Sequence, residues 1–328
     1  MSAKNLVVGD ASVLSNESTL KVSSISIDDR FETVYNFEVE NAHTYFVTED
    51  AVLVHNKCVI KEPDLESRKR VFDMMQSLTD DELQMDANGI VTVNKRSKGQ
   101  KGMGTQLLRD VIGASKTTEI YTGKGTAPWN PDAVGSASYP ILPDIEEFEK
   151  SLVGLSKDEK EKRRKDYVNN HEKRLSQGEK YDSRIWLSQT PSQLTLQDQR
   201  TGEIYAGTVP IQFTLGHELI HSKNQMNGKR QPSSKTAYVN AFDFQKNIPV
   251  LESVELEEAL TTGLKNPKIE PKMSQSEKWL AEEKNKLIER YKGPSQNGLM
   301  TEAGLNYLRY GYDSPNLPRK KECWIFCP

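Results

Sequence analysis

Thr214-Leu215-Gly216-His217-Glu218-Leu219-Ile220-His221 contains the pattern His-Glu-x-x-His and decides how the rest of the sequence is interpreted. Its leucines and isoleucine continue an apolar face, and Asn227-Gly228 is a stop signal about two turns later, so we predict a helix. Histidines at positions i and i+4 lie on one helix face, where both imidazoles can reach a single zinc ion. Glu218 emerges beside them as a general base for metal-assisted peptide hydrolysis.

The alternative is a pair of surface histidines that flank a salt-bridging glutamate. The chain has only five histidines in 328 residues, so a chance match to this pattern is rare. The pattern also lies in a predicted helix, which a zinc site of this kind requires so that both histidines share one face. We therefore favour the metal site over the surface pair.

A third zinc ligand has to come from elsewhere, because catalytic zinc commonly has three protein ligands and one open position. The segment Val254-Glu255-Leu256-Glu257-Glu258-Ala259-Leu260-Thr261-Thr262-Gly263 predicts a short helix with carboxylates on one side that ends at Gly263. We choose Glu258 as the ligand and Glu257 as the residue that orients a histidine from behind. Taken by itself, this segment is more typical of an exposed acidic helix face, and it is the His-Glu-x-x-His pattern upstream that makes us favour a zinc ligand.

These residues carry a family resemblance. His217–His221, followed by Met226-Asn227-Gly228 and the later Glu257–Gly263, resembles the bacterial effector zinc metalloproteases of the type III effector kind and is similar to the clostridial neurotoxin light chains. In those families the second glutamate of an equivalent pair is the third zinc ligand, which the resemblance carries onto Glu258. It implies an α+β, zincin-like endopeptidase that acts on intracellular proteins, and it extends roughly from Pro210 to Tyr312.

An Arg-x-x-Tyr pair stabilises the tetrahedral intermediate in the neurotoxin light chains. Arg309-Tyr310-Gly311-Tyr312 has that spacing, so the resemblance gives this role to Arg309 and Tyr312. An arginine cation and a tyrosine hydroxyl beside a metal would stabilise a developing oxyanion. Ordinary packing and a surface charge are the alternative for these two residues.

The N-terminal residues alternate in the manner of short β-strands over Leu20–Ile27, Thr33–Val39, Thr44–Val47 and Ala51–Val54. The segments Val34–Val39, His43–Val47 and Val52–Asn56 resemble the end of a Hint (intein-like) domain of polymorphic bacterial toxins. The resemblance implies that Asn56 cyclises and cuts the chain with help from His55. Such domains also need an N-terminal cysteine, and no cysteine precedes Cys58. We therefore expect a truncated Hint-like all-β module over residues 1–57 and a zincin-like toxin domain over residues 58–328. For the first part we favour a non-catalytic β-module left from a larger ancestor, and slow cleavage after Asn56 is the alternative.

The composition of the chain argues against nucleic acid and membranes as partners. The formal charge of -3, from 44 basic and 47 acidic residues, gives no field that would gather nucleic acid, and no apolar run approaches the ~20 residues that span a bilayer. Met1–Asp10 does not have the pattern of a signal peptide.

We expect Zn²⁺ as cofactor, a protein substrate, delivery by a specialised secretion system and, from the family, a cognate immunity protein. Cys323 and Cys327 are interpreted as free thiols or an optional local pair.

Three further segments have clear patterns. The glycine clusters at Gly99–Thr105 and Gly123–Thr126 lack the Walker spacing and are interpreted as turns. The highly charged stretch Asp144–Lys180 predicts an exposed helix. Arg184–Leu187 and Gln193–Leu196 predict strands that precede the metal-site helix.

Two other classes of function stay open. One is a binding protein whose His-Glu-x-x-His helix is inactive. The other is a toxin with nuclease or deaminase chemistry, against which the near-neutral charge and the absence of a Cys-x-x-Cys partner argue. The zinc endopeptidase is the interpretation we prefer.

Overall fold

The computed structural model describes residues 11–13, 19–21, 44–47, 52–55, 58–62, 64–99, 101–142, 144–264, 286, 288 and 290–311. Helices are α1 (Leu65–Ser77), α2 (Gly102–Ile112), α3 (Ile145–Ser151), α4 (Lys157–Ser176), α5 (Ile211–Met226), α6 (Leu256–Thr262) and α7 (Gln296–Glu302). Strands are β1 (Ala11–Val13), β2 (Thr19–Lys21), β3 (Thr44–Val47), β4 (Val52–His55), β5 (Cys58–Ile60), β6 (Glu82–Met85), β7 (Ile90–Lys95), β8 (Thr118–Gly123), β9 (Thr126–Ala127), β10 (Asn130–Val134), β11 (Ala137–Ile141), β12 (Asp182–Ser188), β13 (Leu194–Asp198), β14 (Ile204–Gly207), β15 (Thr236–Asp243), β16 (Ile248–Glu255) and β17 (Tyr307–Arg309). The prediction of an α+β fold is confirmed.

The N-terminal strands form small antiparallel pairs. β1 pairs with β2, and β3 pairs with β4. The predicted strand at Thr44–Val47 is present as β3, whereas Thr33–Val39 lies outside the described residues.

A six-stranded mixed sheet, in the order β11-β12-β8-β5-β7-β6, forms the centre of the fold. β8 runs parallel to both of its neighbours, and the remaining pairs are antiparallel. Side chains such as Ile60, Ile120 and Ile185 are fully buried between this sheet and the helices. Such β-branched residues suit a pleated surface that is covered on one side.

Helix α5 lies against β11 and β12 and is also covered by α1, α2 and α7. Because it is buried on several sides, the whole stretch from Leu215 to Ser222 has little exposed surface. Polar contacts fix its C-terminal half to the sheet: Ser222 Oγ lies 2.7 Å from Thr118 Oγ1, and Gln225 Nε2 donates to Ser138 O at 3.1 Å. The helix ends at Met226, and Gly228 follows with φ of 64°, as the predicted stop signal requires.

Two further β units bring distant residues towards α5. In the sheet β14-β13-β17, Arg309 at the end of β17 pairs with Leu196. The Arg309 side chain donates to Gln296, and the Gln296 amide donates to Phe213 O near the start of α5. The long hairpin of β15 and β16 leaves the end of α5 and returns to α6, and its base is closed by Leu256 N donating to Lys235 O at 2.8 Å. The hairpin therefore delivers α6 to the middle of α5.

The turn predicted over Gly99–Thr105 is wrong for its second half, because α2 begins at Gly102. The first N–H groups of α2 are satisfied from far along the chain: Met103 N and Gly104 N donate to the two oxygens of Glu302, at 2.6 and 3.1 Å. Orphan N–H groups at a helix start need such acceptors. No local pattern at this segment reveals a partner some 200 residues away.

The charged stretch Asp144–Lys180 is helical as predicted, in α3 and α4. The capping box of α4 joins Ser156 and Glu159, and its first half is mostly exposed. None of the helices in the described part of the chain is both long enough and apolar enough to span a bilayer.

Candidate metal centre

Three side chains from two helices converge on one buried point. Ligand atoms of His217, His221 and Glu258 all lie within 4.8 Å of one another, and all three residues are buried. The two Nε2 atoms are 3.1 Å apart because the histidines are one turn apart on α5. Glu258 in the first turn of α6 faces both of them.

The carboxylate of Glu258 uses both of its oxygens. Oε2 lies 3.2 Å from His217 Nε2, and Oε1 lies 3.0 Å from His221 Nε2. Two imidazole nitrogens and a carboxylate oxygen are a ligand set that Zn²⁺ prefers. Since these atoms face one point, a cation there would replace the proton that His221 and Glu258 otherwise share. The residues present therefore fit a zinc ion.

Glu257 stands behind His221. Its Oε1 lies 3.3 Å from His221 Nδ1 and accepts a hydrogen bond from Asn224 Nδ2 at 2.8 Å, and its Oε2 accepts from Gln231 N at 2.9 Å. This is the position that the sequence analysis expected for Glu257. A carboxylate at Nδ1 fixes the ring so that Nε2 faces the metal position.

Burial is the largest single influence on the pKa of each histidine, but it decides the direction of the shift only for His217. Burial lowers the pKa of His217 to about 4. Burial also opposes a charge on His221, but the carboxylates of Glu258 and Glu257 outweigh it and raise the pKa to about 10. His221 and Glu258 thus form an ion pair next to a neutral His217.

Burial and the surrounding charges also shift the pKa values of Glu258 and Glu218. Burial raises the pKa of Glu258, but the charge of His221 and hydrogen bonds from both histidines hold it well below the ordinary value. Glu218 is 5% exposed, lies beside this group and is not part of it. Burial raises the pKa of Glu218 to about 8, although the charges of His221, Arg230 and Arg309 act in the other direction.

Arg309 reaches the site from β17. It is buried, and its charge lowers the pKa of both His217 and Glu218, so the guanidinium lies near these two side chains. Gln296 Oε1 accepts from Arg309 Nη1 at 3.0 Å, and the Asn297 amide pairs with the backbone N–H and C=O of Arg309 at 2.8 and 3.0 Å. Its predicted companion Tyr312 lies outside the described residues, as do Asn56, Cys323 and Cys327. His55 is the last residue of β4.

The sequence analysis missed four residues that the fold brings to this centre: Asn224, Arg230, Gln296 and Asn297. Asn224 follows His221 by one helical turn, so the helix period alone was sufficient to place it on the same face. Gln296 and Asn297 are about 80 residues from the histidines, and no local pattern marks them.

Comparisons with known proteins add three structures and one family. The zinc-free botulinum neurotoxin type C light chain aligns with 11% identity over 84% of this chain and 71% of its own, with a TM-score of 0.32. The Clostridium botulinum serotype F light chain aligns with 12% identity over 76% of this chain and 54% of its own, with a TM-score of 0.34. The botulinum neurotoxin serotype C1 light chain protease aligns with 12% identity over 82% of this chain and 71% of its own, with a TM-score of 0.27.

Residues 1–57 match the family model of the pretoxin HINT domain. The predicted resemblance of the N-terminal residues to a Hint domain is therefore confirmed. No curated protein matches the sequence.

Proposed function

We propose that residues 58–328 form a zincin-like zinc endopeptidase, and that the chain is a toxin or effector that cleaves proteins inside a target cell. The observation that carries the proposal is the convergence of His217, His221 and Glu258 within 4.8 Å, with Glu218 buried beside them. Two histidines and a carboxylate with a neighbouring glutamate base suit metal-assisted peptide hydrolysis.

His217, His221 and Glu258 would hold Zn²⁺, which supplies Lewis acidity when bound. Glu218, whose pKa of about 8 would fall beside a bound cation, takes a proton from the attacking water as a carboxylate and returns it to the departing amine. Arg309 presents a positive charge to the developing oxyanion, and Tyr312 completes this role in the proposal. Glu257 keeps the imidazole of His221 in the orientation that ligation requires.

The pretoxin match over residues 1–57 supports the placement of this activity in a toxin. We propose that the chain divides into this Hint-like module and the protease domain, and that a specialised secretion system delivers it to the target cell. A cognate immunity protein that covers the site would protect the producing cell.

The test is zinc-dependent proteolysis. The full chain is incubated with a library of peptides derived from a cell proteome, and new peptide ends are read by mass spectrometry. Cleavage that stops with a chelator and returns with zinc would support the proposal. A zinc-loaded, folded protein that cuts no peptide and no protein of a target-cell extract would contradict it and favour the binding protein.

Self-cleavage of the N-terminal module is a separate prediction. β4 ends at His55 and β5 begins at Cys58, so the bond after Asn56 lies between the last Hint-like strand and the first strand of the six-stranded sheet. The cleavage hypothesis predicts slow release of a fragment that begins at Lys57 when the pure protein is incubated, as measured by intact mass. An Asn56→Ala variant should not release it, because the asparagine side chain is what cyclises. Absence of the fragment from the wild type would leave the module non-catalytic.

A further inference from the structure

We propose that Asn224 is a positioning residue of the metal centre: its amide holds Glu257, and Glu257 in turn fixes the imidazole of His221. The inference rests on the proposed zinc site and deepens it. Asn224 lies on α5 three residues after His221, so both side chains leave the same face of the helix.

Both oxygens of Glu257 are occupied. Oε1 accepts from Asn224 Nδ2 at 2.8 Å and faces His221 Nδ1 at 3.3 Å, whereas Oε2 accepts from the backbone N–H of Gln231 at 2.9 Å. Glu257 is 1% exposed, and a buried carboxylate without donors would take up a proton or move.

Asn224 and His221 share one oxygen of this carboxylate. The shorter bond, from Asn224, determines where Oε1 lies, and the position of Oε1 determines how the imidazole is turned. With Nδ1 directed at Glu257, the other ring nitrogen faces Glu258 and His217. Loss of the amide therefore loosens the ring at the ligand position without removal of any ligand.

The backbone of Asn224 contributes to the same arrangement. Its carbonyl accepts from Lys229 N at 2.8 Å, which closes the turn after α5. Gly228 in that turn has φ of 64°, and a Cβ there would lie 2.0 Å from Gly178 O, so only glycine fits. The turn reverses the direction of the chain, so that Gln231 N can donate its hydrogen bond to Oε2 of Glu257.

The experiment measures the zinc dissociation constant by competition with a chromogenic chelator. We expect Asn224→Ala to weaken zinc binding about tenfold and Glu257→Ala by about 10–100-fold, the range typical for hydrogen-bonded partners of metal ligands. Asn227→Ala is the matched control, because its amide donates to Lys223 O at the same helix end and does not contact Glu257. That control should stay within about twofold of the wild type. The visible spectrum of the cobalt-substituted protein should change for Asn224→Ala and not for Asn227→Ala.

Folding is checked by circular dichroism, and Asn224→Leu keeps the side-chain volume without the amide if the alanine variant unfolds. Wild-type zinc affinity in a folded Asn224→Leu or Asn224→Ala protein would overturn the positioning role. A folded wild type that binds no zinc would instead overturn the proposed function, a result that is distinguishable because it appears before any variant is made.

Discussion

Replacing Glu218 with glutamine is expected to lower peptide hydrolysis by about 10²–10⁴-fold, the usual contribution of a general base. Glutamine keeps the size of the side chain but cannot accept the proton of the attacking water. Zinc content should remain near that of the wild type, because the convergent ligand group comprises His217, His221 and Glu258 and does not include Glu218. The measurement pairs a cleavage assay on the best library peptide with elemental analysis of the same protein sample.

Glu62→Gln is the matched control for this substitution. Glu62 is also buried, and burial raises the pKa of its carboxyl group as well. Its carboxylate accepts a hydrogen bond from Thr122 N, and Glu62 is not part of the convergent group of His217, His221 and Glu258. Glutamine can accept the same bond through its own carbonyl oxygen, so this variant should cleave like the wild type. If Glu218→Gln keeps full cleavage activity, Glu218 is not the base. If the toxicity of the chain survives without cleavage, the binding-protein interpretation gains support.

The helix that carries this centre was predictable because its geometry is local. Histidines four apart with apolar residues between them indicate one face of a helix, and α5 runs from Ile211 to Met226 around them. The short helix that carries Glu258 was predictable for a similar reason, since it ends at Gly263, which has φ of 76°. Each of these two helices needed about ten neighbouring residues and no knowledge of the tertiary fold, whereas the choice of Glu258 as a ligand also needed the histidine pattern upstream and the family resemblance.

The connection between the two helices was not predicted. The β15–β16 hairpin pairs eight-residue strands and brings α6 back to α5, and the sequence analysis assigned no strand to β15. Similarly, Glu302 at the start of α2 and Asn297 beside Arg309 act across long stretches of chain. Contacts of this kind depend on the packing of several elements, so patterns of period 2 or 3.6 do not contain them.

His217→Ala is expected to remove zinc from the protein, from about one ion per chain to almost none after dialysis, because a catalytic site has only three protein ligands. The carboxylate of Glu258 would lose one of its two histidine partners, which lies 3.2 Å away in the wild type. Zinc binds the folded state, so a chelator should lower the melting temperature of the wild type and leave that of the variant unchanged. Elemental mass spectrometry and melting curves with and without chelator are the two measurements.

His171, a buried histidine outside the metal centre, can distinguish loss of a ligand from loss of structure. His171 is 1% exposed, and its ring nitrogens lie 3.4 Å from Tyr181 Oη and 3.7 Å from Asp144 Oδ1, outside the convergent group. His171→Ala should lower the melting temperature through lost packing, yet keep its zinc and its response to chelator. Zinc retained in both folded variants would mean that His217 is not a ligand. Zinc lost from a folded His217→Ala protein and kept by His171→Ala would assign the metal to α5, because both substitutions remove the same side chain from a buried position.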